Sequence, residues 1–421
     1  MLAELGGAGP VVRVRIGRGG RYVVNDGALA QEILADRNQA FAKDRMIRGF
    51  RPITGDGLST LEGAEHREHR RIVTPAFSRA SLASTTPLIS QVTADFAGRW
   101  TPGAALEVDR EMLKLGADII IRCLFRSVAD ADTMSWLSTK VSALSKGVLL
   151  RMVMPAWCPP LPTPESIARR RATHRLREVM DALPARHTPA ADSDDVLSLL
   201  QAAACPVQGE RGLTRKAVID ELITFLAAGS ETTGMMLAWA WHELARNREL
   251  EQAVQCEADA VFHSGRPLPE KILDHLPVAS QVVTEVLRMY PLPVVPRNTL
   301  REVTVGGFHL PQGAEVILNL YGIHRDPALY TRPHTFDPHR WAADAAPANA
   351  RNAYLPYGAG AHRCIAAPFV AVGGPIALAA LAARFQLRPA DAHRPVRAVP
   401  GVVTRPSRIR MTATLRTGAR A

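Results

Sequence analysis

Apolar and polar residues alternate with different periods along the chain. From Val12 to Val24 the period is two. Val12, Val14 and Ile16 alternate with Arg13 and Arg15, Gly17-Arg18-Gly19-Gly20 supplies a turn, and Tyr22-Val23-Val24 returns, which predicts a β-hairpin. Much of the next 260 residues or so follows a helical period. Pro155 to Pro164 and His187 to Asp195 interrupt it and read as loops. From Thr214 to about Asn247 the helical pattern is continuous and free of proline. Such a helix is about 50 Å long, and its apolar middle has to run through a core. Another helix ends near Tyr290, after which Val303 to Phe308, Ala314 to Leu320 and Ile409 to Leu415 read as strands. No repeat and no clean boundary appears, so residues 1–421 are expected to form one mainly α domain with small β-sheets.

Composition changes this picture little. With 47% hydrophobic and 22% charged residues the chain is globular rather than disordered, and long enough to bury a large core. The net charge of +11 comes mostly from arginine. It reads as a basic soluble surface or as a docking face for an acidic protein partner. Nucleic-acid binding has charge behind it but no motif. Five cysteines without a Cys-x-x-Cys pair point to unpaired thiols in a reducing compartment. Met1 to Gly7 lacks the basic and apolar regions of a secretion signal. The apolar run Phe369 to Ala383 falls short of the roughly 20 residues a bilayer requires. A cytoplasmic protein without a transmembrane anchor is the expectation.

Two stretches stand out chemically. "AAGSETTG" (Ala227 to Gly234) places polar groups and Gly229 in the middle of an otherwise apolar helix, a local conflict of the kind that marks functional sites. "YGAGAHRCIAAPF" (Tyr357 to Phe369) sets one cysteine behind two glycines and a His-Arg pair. Glycines let the backbone take unusual conformations, and nearby cations and a helix N-terminus favour a thiolate. A structural zinc site needs about four ligands, and only His362 is at hand. A Cys–His hydrolase stays open, although no pattern supplies its oxyanion hole. An iron with porphyrin nitrogens in its plane needs just one thiolate.

"YGAGAHRC", preceded by Tyr354-Leu355-Pro356, resembles the haem-ligand loop of the cytochrome P450 superfamily, whose usual pattern is Phe-Gly-x-Gly-x-Arg/His-x-Cys-x-Gly. Four further stretches match in the family's order: "EGAEHREHRRIVTPAF" (Glu62 to Phe77), "AGSETT" (Ala228 to Thr233), "EVLR" (Glu285 to Arg288) before "MYPLPVVPR", and "FDPHRW" (Phe336 to Trp341). The resemblance spans nearly the whole chain. It implies the P450 fold, mainly α with small sheets and a long central helix over haem.

The same resemblance implies roles for particular residues. Cys364 is the iron's thiolate ligand, and haem b (iron protoporphyrin IX) is the cofactor. His66, Arg70, Arg297 and His362 match positions that pair with the haem propionates, while Ala228, Tyr357, Gly358 and Ala366 contact the macrocycle. Thr232 is the helix alcohol that steadies dioxygen and guides protons, and Glu231 is the acid beside it. Glu285, Arg288 and Arg340 form a supporting network. Thr224, Ala227, Ala228, Pro293, Val294, Val295, Val402 and Val403 line the pocket, and the apolar segment Leu149 to Leu161 belongs to its lid. Small apolar lining suits a lipophilic substrate, with a terpenoid favoured over a polyketide or steroid.

The implied reaction inserts one atom of O2 into that substrate. Its electrons come from a separate ferredoxin or flavodoxin-like donor with its reductase, docked near Arg67, Arg71 and Arg363. Rival readings are oxidative coupling, desaturation or peroxide-driven chemistry on the same haem, and a haem-binding protein or sensor without turnover. The chain departs from the pattern at Ala366, where glycine is usual, at Tyr357, where phenylalanine is usual, and at Gly373-Gly374-Pro375, where a kink or break is expected in the helix after the cysteine.

Overall fold

The computed structural model describes residues 2–16, 19–36, 39–140, 144, 163–187, 194–204, 212–263, 267–345, 354–391, 394–399 and 401–416. The predicted hairpin is present: β1 (Val11–Ile16) pairs antiparallel with β2 (Gly19–Val24), Val12 opposite Val23. It joins three distant strands, β3 (Phe41–Lys43), β5 (Val295–Thr299) and β8 (Glu315–Leu318), in a sheet of order β1-β2-β8-β5-β3. A second sheet, β4-β12-β9, unites β4 (Ala105–Glu107), β9 (Phe385–Pro389) and β12 (Arg410–Leu415). Two hairpins complete the strands: β6 (Val303–Val305) with β7 (Phe308–Leu310), and β10 (Ala398–Val399) with β11 (Arg405–Pro406).

The longer helices are α1 (Gly27–Ala35), α2 (Gly63–Val73), α3 (Arg79–Ala97), α4 (Val108–Ile119), α5 (Pro164–Ala182), α6 (Val196–Ala204), α7 (Arg215–Leu244), α8 (Arg248–Phe262), α9 (Pro277–Met289) and α10 (Ala367–Arg384). α7 is the long central helix the sequence pattern calls for. Thr214 caps it by accepting the Ala217 N–H, and its 30 residues run continuously for about 45 Å. It crosses α4 at backbone contact. A Cβ on Gly116 would stand 2.4 Å from Ser230 O, and one on Gly234 would stand 2.7 Å from Met112 O. The last glycine of "AAGSETTG" therefore has a packing reason.

Some expectations need correction. The strand expected over Val303 to Phe308 is a hairpin, because Gly306 and Gly307 both take positive φ and turn the chain. Ala314 to Leu320 shortens to β8, since Asn319 caps a helical turn over Leu320–Ile323. Pro164 opens α5 at its first turn, where its missing N–H costs nothing, with Thr163 as cap. Residues 155–162 of the expected loop and the lid segment 149–161 lie outside the described residues. The helix after the cysteine does not break: α10 continues through Gly373-Gly374-Pro375. A Cβ at Gly373 would meet Ile89 of α3 at 3.1 Å, and one at Gly374 would meet Met236 of α7 at 3.0 Å. Tight burial against α3, α7 and α9, the last through Val283, holds this stretch in place. By length and apolarity α10 could cross a membrane, but it is mostly buried in the core.

Candidate active site

Cys364 lies between a 3-10 turn, Gly360–His362, and α10. Backbone hydrogen bonds shape the loop: Cys364 N–H donates to Tyr357 O at 2.9 Å, Arg363 N–H to Gly360 O at 3.1 Å, and Gly358 N–H to Leu355 O at 3.1 Å. Gly358 and Gly360 take φ of +65° and +68°, the left-handed region that glycine enters at least cost. Their surroundings differ. A Cβ on Gly358 would meet nothing within 4 Å, whereas one on Gly360 would stand 2.1 Å from Leu34 O and 2.8 Å from Ala35 Cα. Gly358 thus faces open space suited to a flat ligand, and Gly360 seats the loop on the end of α1. Ala366 caps α10 with φ −81° and ψ 5°, a conformation open to any L residue, so its methyl imposes no backbone strain.

The Cys364 residue is exposed, yet protein crowds the sulfur enough that burial pushes the thiol's pKa up. The Ala366 and Ala367 N–H groups and the charges of Arg70 and Arg363 pull it down. Those donors favour the thiolate, the form that binds metal. Among the described residues no three His, Cys, Asp or Glu side chains gather into a metal-binding group, so the ligand chemistry here is that of a lone thiolate.

Beside the loop a group of basic side chains converges from four elements. His66 and Arg70 come from α2, Arg297 from β5, His362 from the 3-10 turn and Lys43 from β3. The His66 and His362 rings lie 4.2 Å apart between centroids. Arg70 Nη1 donates to Arg363 O at 2.8 Å. Lys43, which the sequence reading missed, is 5% exposed and donates to Leu58 O at 3.0 Å and Leu61 O at 2.6 Å. It sits directly opposite Arg297, itself 6% exposed, in the β3–β5 register. Like charges directly opposite destabilise a sheet.

The electrostatics match this crowding. Burial pulls Lys43 down to about 8, Glu62 and Glu221 oppose that effect, and Arg297 and Arg70 add to it. Burial and then Lys43 pull His66 down to about 4 and His362 to about 3. Arg297 is lowered by burial, with Glu62 and Asp36 opposing that effect. The facing Lys43 and Arg297 charges, only partly offset by Glu62, are completed by an anion beside two neutral histidines, and two propionates supply that chemistry.

α7 is buried from Asp220 to Leu244 except at one window, where Ala228 is exposed and Ala227, Gly229 and Thr232 are partly so. Thr232 Oγ1 donates to Ala228 O at 2.7 Å. Glu231 is buried, and its Oε1 accepts from Arg405 Nε at 2.7 Å and also from Arg405 Nη2. Nothing in the sequence pattern links Arg405 to it. Of the expected pocket residues, Thr224 is buried under Gly57 with no partner for its hydroxyl. Pro293 and Val403 are buried, and Val294, Val295 and Val402 are partly exposed.

Behind the cysteine loop, Glu285, Arg288 and Arg340 come together as the motifs predict. Arg288 donates from Nε and Nη2 to the Glu285 carboxylate, both at 2.8 Å, and Arg340 Nε adds a third bond at 3.1 Å. His324, also missed, links this network to the loop. Its Nε2 accepts the Leu355 N–H at 2.9 Å while Nδ1 faces Arg288 O at 3.2 Å. Burial pulls it to about 3, so the ring is a neutral brace.

The comparisons agree with this geometry. The family model described as Cytochrome P450 matches residues 6–413. The chain is 34% identical to cyclooctat-9-en-7-ol 5-monooxygenase of Streptomyces melanosporofaciens, over 92% of this chain and 84% of that protein. It is 29% identical to pentalenene oxygenase of Streptomyces avermitilis, over 99% and 92% respectively. Among solved structures, the cytochrome P450DA heme domain superposes with a TM-score of 0.83 at 23% identity, covering 97% of this chain and 90% of that one. A cytochrome P450 (CYP102L1) gives 0.83 at 23%, covering 99% and 97%. With a thiolate loop, a cluster of basic side chains and a central helix all in the family's order, the chain belongs to the cytochrome P450 family, the haem-thiolate monooxygenases.

Proposed function

We propose that this monooxygenase inserts one oxygen atom from O2 into a terpenoid, using haem b. The observation that carries the cofactor reading is the lone Cys364 thiol of an exposed residue, its sulfur met by two backbone N–H groups beside the buried, facing charges of Lys43 and Arg297. In this reading Cys364 ligates iron, and Lys43, His66, Arg70, Arg297 and His362 hold the propionates. Ala228, Tyr357, Gly358 and Ala366 border the macrocycle. When bound, the haem supplies O–O bond cleavage promoted by thiolate electron donation. Overall, O2, two electrons, two protons and substrate give hydroxylated product and water.

The chain's own residues bind, orient and move protons. Ala227, Ala228, Pro293, Val294, Val295, Val402 and Val403 present small apolar surface to the substrate, with Thr224 behind them. Thr232 holds a proton on its hydroxyl at the open window of α7, with Glu231 as the adjacent acid. The names of the two relatives above support a terpenoid substrate. The exposed Arg67, Arg71 and Arg363 beside the cysteine loop suit an acidic ferredoxin or flavodoxin-like donor, separate from this chain and served by its own reductase. Free Cys123, Cys256 and Cys364 suit a reducing cytoplasm.

The test is the spectrum of the reduced carbon monoxide complex. A strongly red-shifted Soret band that Cys364→Ser abolishes supports the thiolate assignment, and haem bound without that band overturns it. Turnover of cyclic terpene alcohols or hydrocarbons with a surrogate ferredoxin and reductase tests the substrate class. Haem binding without product would favour the sensor reading instead.

A further inference from the structure

The C-terminal hairpin β10–β11 is tied to α7 at two points on one helix face, from the end of its turn and from β11. Glu231 and Trp239 are eight residues apart, just over two turns. Glu231 takes both bonds from Arg405 on β11, and Trp239 Nε1 donates to Thr404 O at 2.9 Å. Thr404 Oγ1 in turn donates to Pro291 O at 2.7 Å, beside Tyr290, whose ring stacks on Trp239 at 3.7 Å and 3°. Val402 and Val403 therefore sit in a turn pinned at its C-terminal side by Thr404 and Arg405, and Arg405 is the pin that reaches the acid next to Thr232. The guanidinium is mostly buried and the carboxylate nearly wholly so. Buried charges in that state depend on each other.

We infer that Arg405 is a positioning residue that fixes both the Glu231 carboxylate and the Val402-Val403 turn, and so sets which substrate carbon is presented. The hairpin part stands on the geometry alone, whereas the selectivity part rests on the proposed pocket. Glu231 is held from the C-terminal side of α7, so its place depends on a residue 174 positions away in the chain. One substitution then disturbs acid and pocket wall together.

The experiment uses haem-loaded Arg405→Gln, Arg405→Lys, Glu231→Gln and the double variant Arg405→Gln/Glu231→Gln. Hydrogen exchange over 398–407 is read together with the substrate-induced spin-state shift and the product ratio. Arg405→Gln and Glu231→Gln should each speed exchange in the hairpin about tenfold, weaken the spin shift several-fold and broaden the product ratio. The double variant should match either single one, and Arg405→Lys should recover most of the loss. Unchanged exchange in both single variants overturns the clamp, as does additive behaviour in the double. Faster exchange with unaltered product ratio overturns the selectivity role. An intact red-shifted carbon monoxide band in every variant keeps these failures distinct from a failure of the haem-thiolate reading.

Discussion

The carboxylate of Glu285 offers a demanding test of how the cysteine loop is supported. It is fully buried, as is Arg288, and accepts five donors: Arg288 Nε and Nη2 at 2.8 Å, Trp341 Nε1 at 2.8 Å, the Asp337 N–H at 3.0 Å and Arg340 Nε at 3.1 Å. Glu285→Leu removes every acceptor and leaves the Arg288 guanidinium buried without its counter-charge. Breaking such a pair costs about 3–5 kcal/mol, and each orphaned N–H of Asp337 and Trp341 adds about 1–3 kcal/mol before relaxation. A loss near 5 kcal/mol approaches the whole stability of many domains. The double variant Glu285→Leu/Arg288→Met should be more stable than Glu285→Leu alone, because it removes the fully buried Arg288 charge and leaves only the less buried Arg340 without its counter-charge. Urea unfolding followed by circular dichroism, with haem occupancy measured in parallel, reads both. Should Glu285→Leu unfold within about 1 kcal/mol of the parent at equal haem content, or the double variant prove weaker than the single, the reasoning is wrong.

Other expectations are smaller in scope. In the haem-free protein Lys43 has its pKa near 8 instead of 10.5. The unfolded chain then binds more protons between those values, so stability should rise with pH from about 8 to 10.5, by about 3 kcal/mol. Comparing urea midpoints of parent and Lys43→Met over that range isolates the slope, and a slope unchanged by the substitution would falsify the assignment. Gly234→Ala should cost about 1–3 kcal/mol by forcing α7 away from Met112 O, seen as a lower thermal midpoint. Ala366→Gly should shift stability by only a few tenths of a kcal/mol and leave the carbon monoxide band in place, because φ is −81° at that position.

The long helix, the hairpin and the cysteine loop were legible in the sequence because each obeys a local rule: a 3.6-residue period, a two-residue period, and glycines around a thiol. Glu285 and Arg288 were legible as a pair because their spacing puts both on one helix face, and Arg340 only through the resemblance carried by "FDPHRW". Lys43 left no such trace. Its meaning lies in its pairing opposite Arg297, a register between strands some 250 residues apart. Arg405 was hidden for the same reason, and His324 because a lone histidine has no pattern. That Gly360 seats the loop on α1 left no trace either, since that neighbour is far off in sequence. A kink or break was expected at Gly373-Gly374-Pro375, and tight packing keeps α10 continuous there.

The first sheet has a consequence for synthesis on the ribosome. β2 pairs in parallel with β8, Arg21 opposite Glu315, and Asn319 Nδ2 donates to both Leu2 O and Asn25 Oδ1. The hairpin emerges before β8, so β2 has no strand partner besides β1 until about 300 residues later. At roughly 5–20 residues per second it waits about 15 to 60 seconds with an open strand edge. Over that interval the nascent chain is most exposed to wrong pairing, and overproduction of this enzyme should depend on translation speed and on chaperones that shield the first 24 residues.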